Sequence, residues 1–264
     1  MRTYGSPRVR FVVALLAATF FFTGCATLTQ KAPDRKADES FTEAAALQAS
    51  LGNVNKTLVT FKGIGTISML QGERKQRFRA AWAAKAPDQL RIQLMGLAGQ
   101  PVASIACDGS HYYFLTHNDG KLIKRRADAS GFKKFINIPI NAQDVFALFS
   151  GRPKPPNEGM MARMEKDESH EAVLVLWDTE EAFQDRIYLD PRRAAIRKVE
   201  RSKDNGRLIW RAELDNPKKE DSYNISKRIT LSTGEDVRVI IDTERFWANP
   251  DITSDLFVIS SPLN

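Results

Sequence analysis

Cysteine and histidine are scarce in this 264-residue chain, with two of the first and three of the second. Cys25 and Cys107 provide no Cys-x-x-Cys, which excludes a multi-disulfide framework and a dithiol redox site. His111, His117 and His170 form no HxH or HExxH pair, so no metal site is expected. There is no Gly-x-Ser-x-Gly elbow, no phosphate-cradling Gly-rich loop, and no carboxylate pair at a distinguishing spacing. The expected class is therefore not an enzyme, and no cofactor is implied. Charge of one sign is also missing: 39 Lys and Arg stand against 32 Asp and Glu, giving +7. Such a mixture reads as a solvated surface, and nucleic acid is not an expected partner. No apolar run is long enough to span a bilayer; the longest, Phe11 to Phe22, covers about 18 Å as a helix against ~30 Å of hydrocarbon.

That short run follows Arg2, Arg8 and Arg10 and precedes Thr23-Gly24-Cys25. A basic flank, a short apolar core and small residues describe an exported segment that is removed, so residues 1–24 read as a signal peptide. Removing the three arginines leaves 240 residues with a net charge of +4. The cysteine directly after Gly24 resembles the lipobox of bacterial lipoproteins, with Phe22 where leucine is usual. The resemblance implies lipidation of Cys25 and stable membrane anchoring by several acyl chains. With Ala26 rather than Asp next to the cysteine, it also implies an outer-membrane location with the body facing the periplasm.

Residues 25–40 are small, polar and charged, and read as the lipidated N-terminus and a flexible tether. The body is then residues 41–264. Ser40-Phe41-Thr42-Glu43 is a capping-box pattern, so a helix is expected from Ser40 to a stop at Gly52. From Leu58 onward the period is two, as in Phe78-Ala80-Trp82-Ala84 and Leu90-Ile92-Leu94. Turn signals at Asp108-Gly109, Asp119-Gly120, Asp204-Asn205-Gly206 and Thr233-Gly234 join ten or eleven strands into an antiparallel meander. A sheet of that width curls or closes. The fold class is mainly β: one curled antiparallel sheet, an unclosed half-barrel of about 11 strands, with a few helices as a lid. One helix is expected after Asn141, with Val145, Phe146, Leu148 and Phe149 on its apolar side and Gly151-Arg152-Pro153 ending it. A shorter one is expected in Gly131–Ile136, and residues 152–158 read as a surface loop. Cys107 reads as core. The basic clusters Lys124-Arg125-Arg126 and Lys133-Lys134 read as solvated faces, with an approach to anionic lipid headgroups as a further possibility.

The order of motifs resembles a known family. Lys85-Ala86-Pro87-Asp88-Gln89-Leu90-Arg91 leads to Leu94-Met95-Gly96-Leu97-Ala98-Gly99 and Cys107-Asp108-Gly109. Ile138-Pro139-Ile140-Asn141 then leads to Phe146-Ala147-Leu148-Phe149-Ser150-Gly151-Arg152-Pro153. This is similar to the outer-membrane lipoprotein receptor LolB and its relatives, which share a fold with the periplasmic carrier LolA. The resemblance implies an unclosed barrel of about eleven strands, a hydrophobic cavity for the acyl chains of lipoproteins, and a LolA-type carrier as partner. It also implies a protruding apolar loop that delivers cargo to the membrane, here Met95, Leu97 and Ala98.

On the residues themselves, Val59, Phe61, Ile67, Phe78, Trp82, Leu90, Ile92 and Leu94 are expected to line a cavity, with Val145, Phe146, Leu148 and Phe149 as its lid. Ala80 and Ala84 on the same face leave volume for a chain. The same alternation also describes an ordinary core. The expected function is a lipoprotein acceptor that binds acyl chains or phospholipid and passes them to the membrane. The alternative is an envelope scaffold or sensor lipoprotein that binds a protein partner or signal lipid.

Overall fold

The period-two alternation does become strands. The first six are β1 (Thr60–Gln71), β2 (Arg74–Lys85), β3 (Gln89–Met95), β4 (Pro101–Asp108), β5 (His111–Thr116) and β6 (Leu122–Arg126). After two helices come β7 (Met160–Lys166), β8 (Ala172–Asp178), β9 (Phe183–Leu189), β10 (Ile196–Lys203), β11 (Leu208–Glu220), β12 (Tyr223–Ser232) and β13 (Val237–Ala248). The helices are α1 (Arg35–Asn53), α2 (Lys133–Ile136) and α3 (Ala142–Ser150). This computed structural model describes residues 35–264 apart from 97, 129–130, 153–159, 169–170, 179–181, 191–194, 221, 235–236 and 261–264. The signal segment, Cys25, most of the tether, His170 and most of the 152–158 loop therefore lie outside the described residues. Residues Asp38–Asn264 make up one compact unit, described here by itself.

All thirteen strands lie in one sheet in the order β6-β5-β4-β3-β2-β1-β13-β12-β11-β10-β9-β8-β7. Every pairing is antiparallel, and β1 joins β13 at the centre, so two meanders meet there. β6 and β7 are free edges and the barrel is not closed. The chain must travel from one edge to the other between β6 and β7. That link carries α2 and α3 across one face of the curled sheet.

The count exceeds the expected eleven because β6 (LIKRR), β7 (MMARMEK) and β10 (IRKVERSK) interleave charges with few apolar residues. Charge on the two edge strands discourages a further strand from pairing there. The runs Tyr223–Ile225 and Ile229–Leu231 are parts of the single strand β12.

The first helix begins at Arg35, five residues before the expected cap. Ser40 is inside it, and its hydroxyl donates to the carbonyl of Met164 on β7 (3.0 Å) and accepts from the Met164 N–H (3.2 Å). The side chain that looked like a cap ties helix to sheet. The expected stop holds to within a residue, since the helix ends at Asn53.

The inner face of the sheet is apolar and covered by helices. Glycine is required at two positions of β1: at Gly63 by Trp82, its register partner on β2, and at Gly65 by the backbone of β13. A Cβ at Gly63 would sit 2.3 Å from the indole Nε1, and one at Gly65 would sit 1.9 Å from the carbonyl oxygen of Asp242. On the outer face the segment after β13 folds back: Ile252 and Phe257 pack with Ala83, and Ile259 with Ala106, Tyr113 and Leu115. Arg91 fixes it by donating to the Leu256 carbonyl at 2.9 Å.

Candidate functional site

The site is the space between the inner face and the two linking helices, which are held very differently. α3 starts with the expected cap: the Asp144 N–H donates to Asn141 Oδ1 (2.8 Å) and the Asn141 N–H returns the contact to Asp144 Oδ2 (3.3 Å). Gly151 ends it in the left-handed conformation, φ 63°. From β10, Arg201 donates through Nη1 to Asp144 Oδ2 at 3.0 Å, and through Nε and Nη2 to both oxygens of Asp185 on β9 at 2.7 Å each. Its guanidinium lies 4.1 Å from the Phe183 ring centre and 5.0 Å from that of Trp210. Burial opposes the charge on Arg201, but the two carboxylates outweigh it and raise its pKa above the usual arginine value.

The far end of α3 is tied as well. Asn55 donates to the carbonyls of Ser150 and Asn224, both at 2.9 Å. Arg152 donates to the carbonyls of Lys56 (3.2 Å) and Leu58 (3.3 Å). Between these ends Phe146 and Phe149 each lie 5.3 Å from the ring of Phe61, and Phe149 lies 5.6 Å from Trp82. Polar ends and an aromatic middle make α3 a fixed part of the fold.

α2 is four residues long and contains no fully buried side chain. It belongs to a loop closed by the Phe132 N–H donating to the Ile140 carbonyl at 2.8 Å. Gly131 just before it has φ 52°, and a Cβ there would meet that same carbonyl oxygen at 2.1 Å. The loop is held to β5 by two ring contacts: Phe132 edge-on to Tyr112 (4.8 Å) and Phe135 stacked on Phe114 (5.0 Å, 15°).

Beneath α2 a wholly apolar cleft of about 50 Å³ remains, with Ile67, Ile92, Leu94, Ile136 and Val145 among its lining. Next to it a mouth of about 780 Å³ opens at the ends of β1, β2 and β13 and the exposed side of α2. Met69, Ile136 and Val239 line both spaces, so these three side chains form the partition between cleft and mouth.

The expected lining residues therefore separate. Ile67, Ile92 and Leu94 face the cleft, and half-buried Phe78 packs beside them. Leu90, Phe61 and Trp82 are packed core, the last two under α3. Val59 is not a lining residue: it precedes β1 and is 52% exposed, and its backbone N–H donates to Asn249 Oδ1 at 2.9 Å. The volume assigned to Ala84 beside Phe61 is taken by α3, whose Phe146 and Phe149 pack on Phe61. Of the expected lid, Val145 reaches the cleft, while Phe146, Leu148 and Phe149 are buried core. The expected delivery loop is a tight turn: the Gly96 N–H donates to the Gln100 carbonyl (2.9 Å) and the Gly99 N–H to that of Gly96 (3.0 Å). Met95 is half-buried, Ala98 is exposed, and Leu97 lies outside the described residues. Cys107 is buried core on β4, and burial is the main cause that pushes its thiol up to about 11. His117 Nε2 pairs with the Ser104 hydroxyl at 2.9 Å, and His111 Nδ1 lies 3.9 Å from Asp108.

The sequence matches no family model and no curated protein. Solved structures match its fold. A DUF1329 family protein from Desulfovibrio piger aligns with TM-score 0.64 at 9% identity, covering 83% of this chain and 97% of that one. A LolA superfamily protein from Nitrosomonas europaea aligns with TM-score 0.58 at 11% identity, over 82% and 97%. A putative outer membrane lipoprotein-sorting protein domain from Vibrio parahaemolyticus aligns with TM-score 0.57 at 12% identity, over 84% and 97%. At these identities the shared property is the fold, that of the LolA superfamily structures.

Proposed function

We propose that this chain is a lipid-anchored envelope protein that takes the acyl chain of a lipoprotein or lipid between its sheet and α2, and hands it on to a membrane. The observation that carries this reading is the shared partition: the same three side chains, Met69, Ile136 and Val239, bound an apolar interior on one side and open solvent on the other. A wall so thin, roofed by a four-residue helix, is where an apolar chain enters with least disturbance.

Magnitudes support α2 as the moving part. A cleft of about 50 Å³ holds no acyl chain, since even a benzene-sized guest occupies a cavity of roughly 150 Å³. One of the covering helices must therefore yield. Twelve methylenes at ~0.8 kcal/mol each gain on the order of 10 kcal/mol gross. Exposing Phe132 and Phe135 costs at most about 1.5–3 kcal/mol apiece. Releasing α3 would break a buried ion cluster as well. A bilayer offers the chain nearly the same gain, so the balance between protein and membrane is small and exchange needs no nucleotide and no chemical step.

In the same reading Cys25 carries the anchor, the body faces the periplasm at the outer membrane, a LolA-type carrier supplies the cargo, and the turn with Leu97 meets the membrane. The fold shared with the lipoprotein-sorting structure supports acyl-chain binding, and the anchor rests on the Gly24-Cys25 motif of the sequence. Native mass spectrometry of the full-length chain, extracted mildly from its own membrane, tests the core of it. A bound acyl-bearing molecule at about one per chain is the expected result. A chain that is always empty, and that takes up no fatty acid added to it, would overturn the reading.

A further inference from the structure

We propose that the mouth selects an amphiphile with an anionic head, a phosphate or carboxylate, whose tail enters the cleft. This rests on the reading that the interior takes an apolar chain. Four cations line the mouth: Arg74 from β2, Lys133 and Lys134 from α2, and Arg238 from β13. Among the described residues no carboxylate lines it, and the remaining polar groups are the neutral side chains Gln71, Gln76 and Asn137.

None of the four cations has an ion-pair partner among the described residues, whereas several other basic side chains of this surface do. Arg186 pairs with Glu165 and Arg197 with Glu171, each at 2.6 Å. Arg211 pairs with Glu200 at 2.7 Å and Arg228 with Asp242 at 2.6 Å. Three separate elements thus bring unpaired positive charge to one opening, where the charges repel one another until an anion sits among them. Directly behind that opening are Met69, Ile136 and Val239, and then the apolar cleft. A charged rim of one sign over an apolar interior is complementary to a molecule with an anionic end and a hydrocarbon end. A zwitterionic head gains little there, because its own cation meets the same rim. Two of the four cations ride on α2, so a bound head also touches the element that must move for the tail to enter.

The test compares three probes on the full-length chain by calorimetry in low salt: dodecyl phosphate and dodecylphosphocholine, each below its micelle concentration, and inorganic phosphate. Dodecyl phosphate is expected to bind about tenfold more tightly than dodecylphosphocholine, because several screened surface pairs add while each stays weak, and the gap closes at high salt. The doubles Lys133→Gln/Lys134→Gln and Arg74→Gln/Arg238→Gln change exposed side chains, should keep the thermal midpoint, and should each narrow the gap. Equal binding of the two amphiphiles would overturn head selection while leaving the interior site standing. A gap untouched by both doubles would place the selectivity elsewhere and overturn the proposal. Inorganic phosphate bound as tightly as dodecyl phosphate would reduce the mouth to an anion site without a tail. Binding of neither amphiphile would overturn the interior reading itself.

Discussion

Arg201 and Asp144 meet at 3.0 Å with both side chains buried, one on the sheet and the other in the first turn of α3. Asp144 also accepts from the Asn141 backbone, so the carboxylate that caps the helix is the one that bolts it down. This double use explains why α3 behaves as core while α2, with no charge cluster beneath it, does not.

Removing the Arg201 guanidinium strands two carboxylates, Asp144 and Asp185, in an apolar surrounding. Arg201→Met is expected to lower stability by about 3–5 kcal/mol, read from urea unfolding midpoints and slopes. A loss below about 1 kcal/mol, the range of an exposed pair, would mean that the cluster is solvated and α3 is not held as described.

Asp108 closes the β4–β5 turn by accepting from the Ser110 and His111 N–H groups and from the Tyr113 hydroxyl, all at 2.7 Å. Burial works against its charge, but these donors outweigh it and hold its carboxyl below the usual value of 3.8. A depressed folded pKa contributes stability that is present above the unfolded value and is lost as pH falls through the folded one. Tyr113→Phe removes one donor, lets the folded pKa climb back, and should move the acid-unfolding midpoint to higher pH. An unchanged midpoint would contradict the assignment.

The Cys107 thiol works in the opposite direction. Its folded pKa of about 11 lies above the ordinary 9.0, mainly through burial, so the neutral thiol is favoured in the native state. The stability it contributes is complete below pH 9.0 and declines as pH rises toward 11. At pH 8 the native thiol should resist a maleimide reagent that labels the urea-unfolded chain at once, as read on the Cys107 peptide by mass spectrometry. Rapid native labelling would show that β4 opens readily.

Much of this was legible in the sequence because local signals agreed with the fold. Asn141 and Gly151 bracket α3, and Asp-Gly and Asn-Gly turns mark the hairpins. The strands that escaped, β6, β7 and β10, carry charge where the pattern needs apolar residues, since edge position and the Arg201 cluster override it. Alternation shows which face is apolar and not what covers it. Ala84 reads as empty space in one dimension, and in three the phenylalanines of α3 are there. Ser40 looks like a cap because its hydroxyl is needed, but by Met164 on a distant strand. The mouth was half visible as Lys133-Lys134. Arg74 and Arg238 join it only because β2 and β13 both pair with β1, a relationship no local window contains.

Entry of a hydrocarbon tail into the cleft beneath α2 is the claim on which the functional account rests, and Trp82 is the nearest tryptophan in register to its lining. Trp82 is 3% exposed, and its register partner Ile92 lines the cleft. A variant with Trp177, Trp210 and Trp247 replaced by Phe leaves it as the sole tryptophan, excited selectively at the red edge of the band. Titration with a chain-brominated fatty acid should quench it saturably at one equivalent, whereas the unbrominated acid does not. Quenching no greater than with the unbrominated acid, while a variant retaining only exposed Trp247 is quenched, would put the chain on the outer surface and contradict the account.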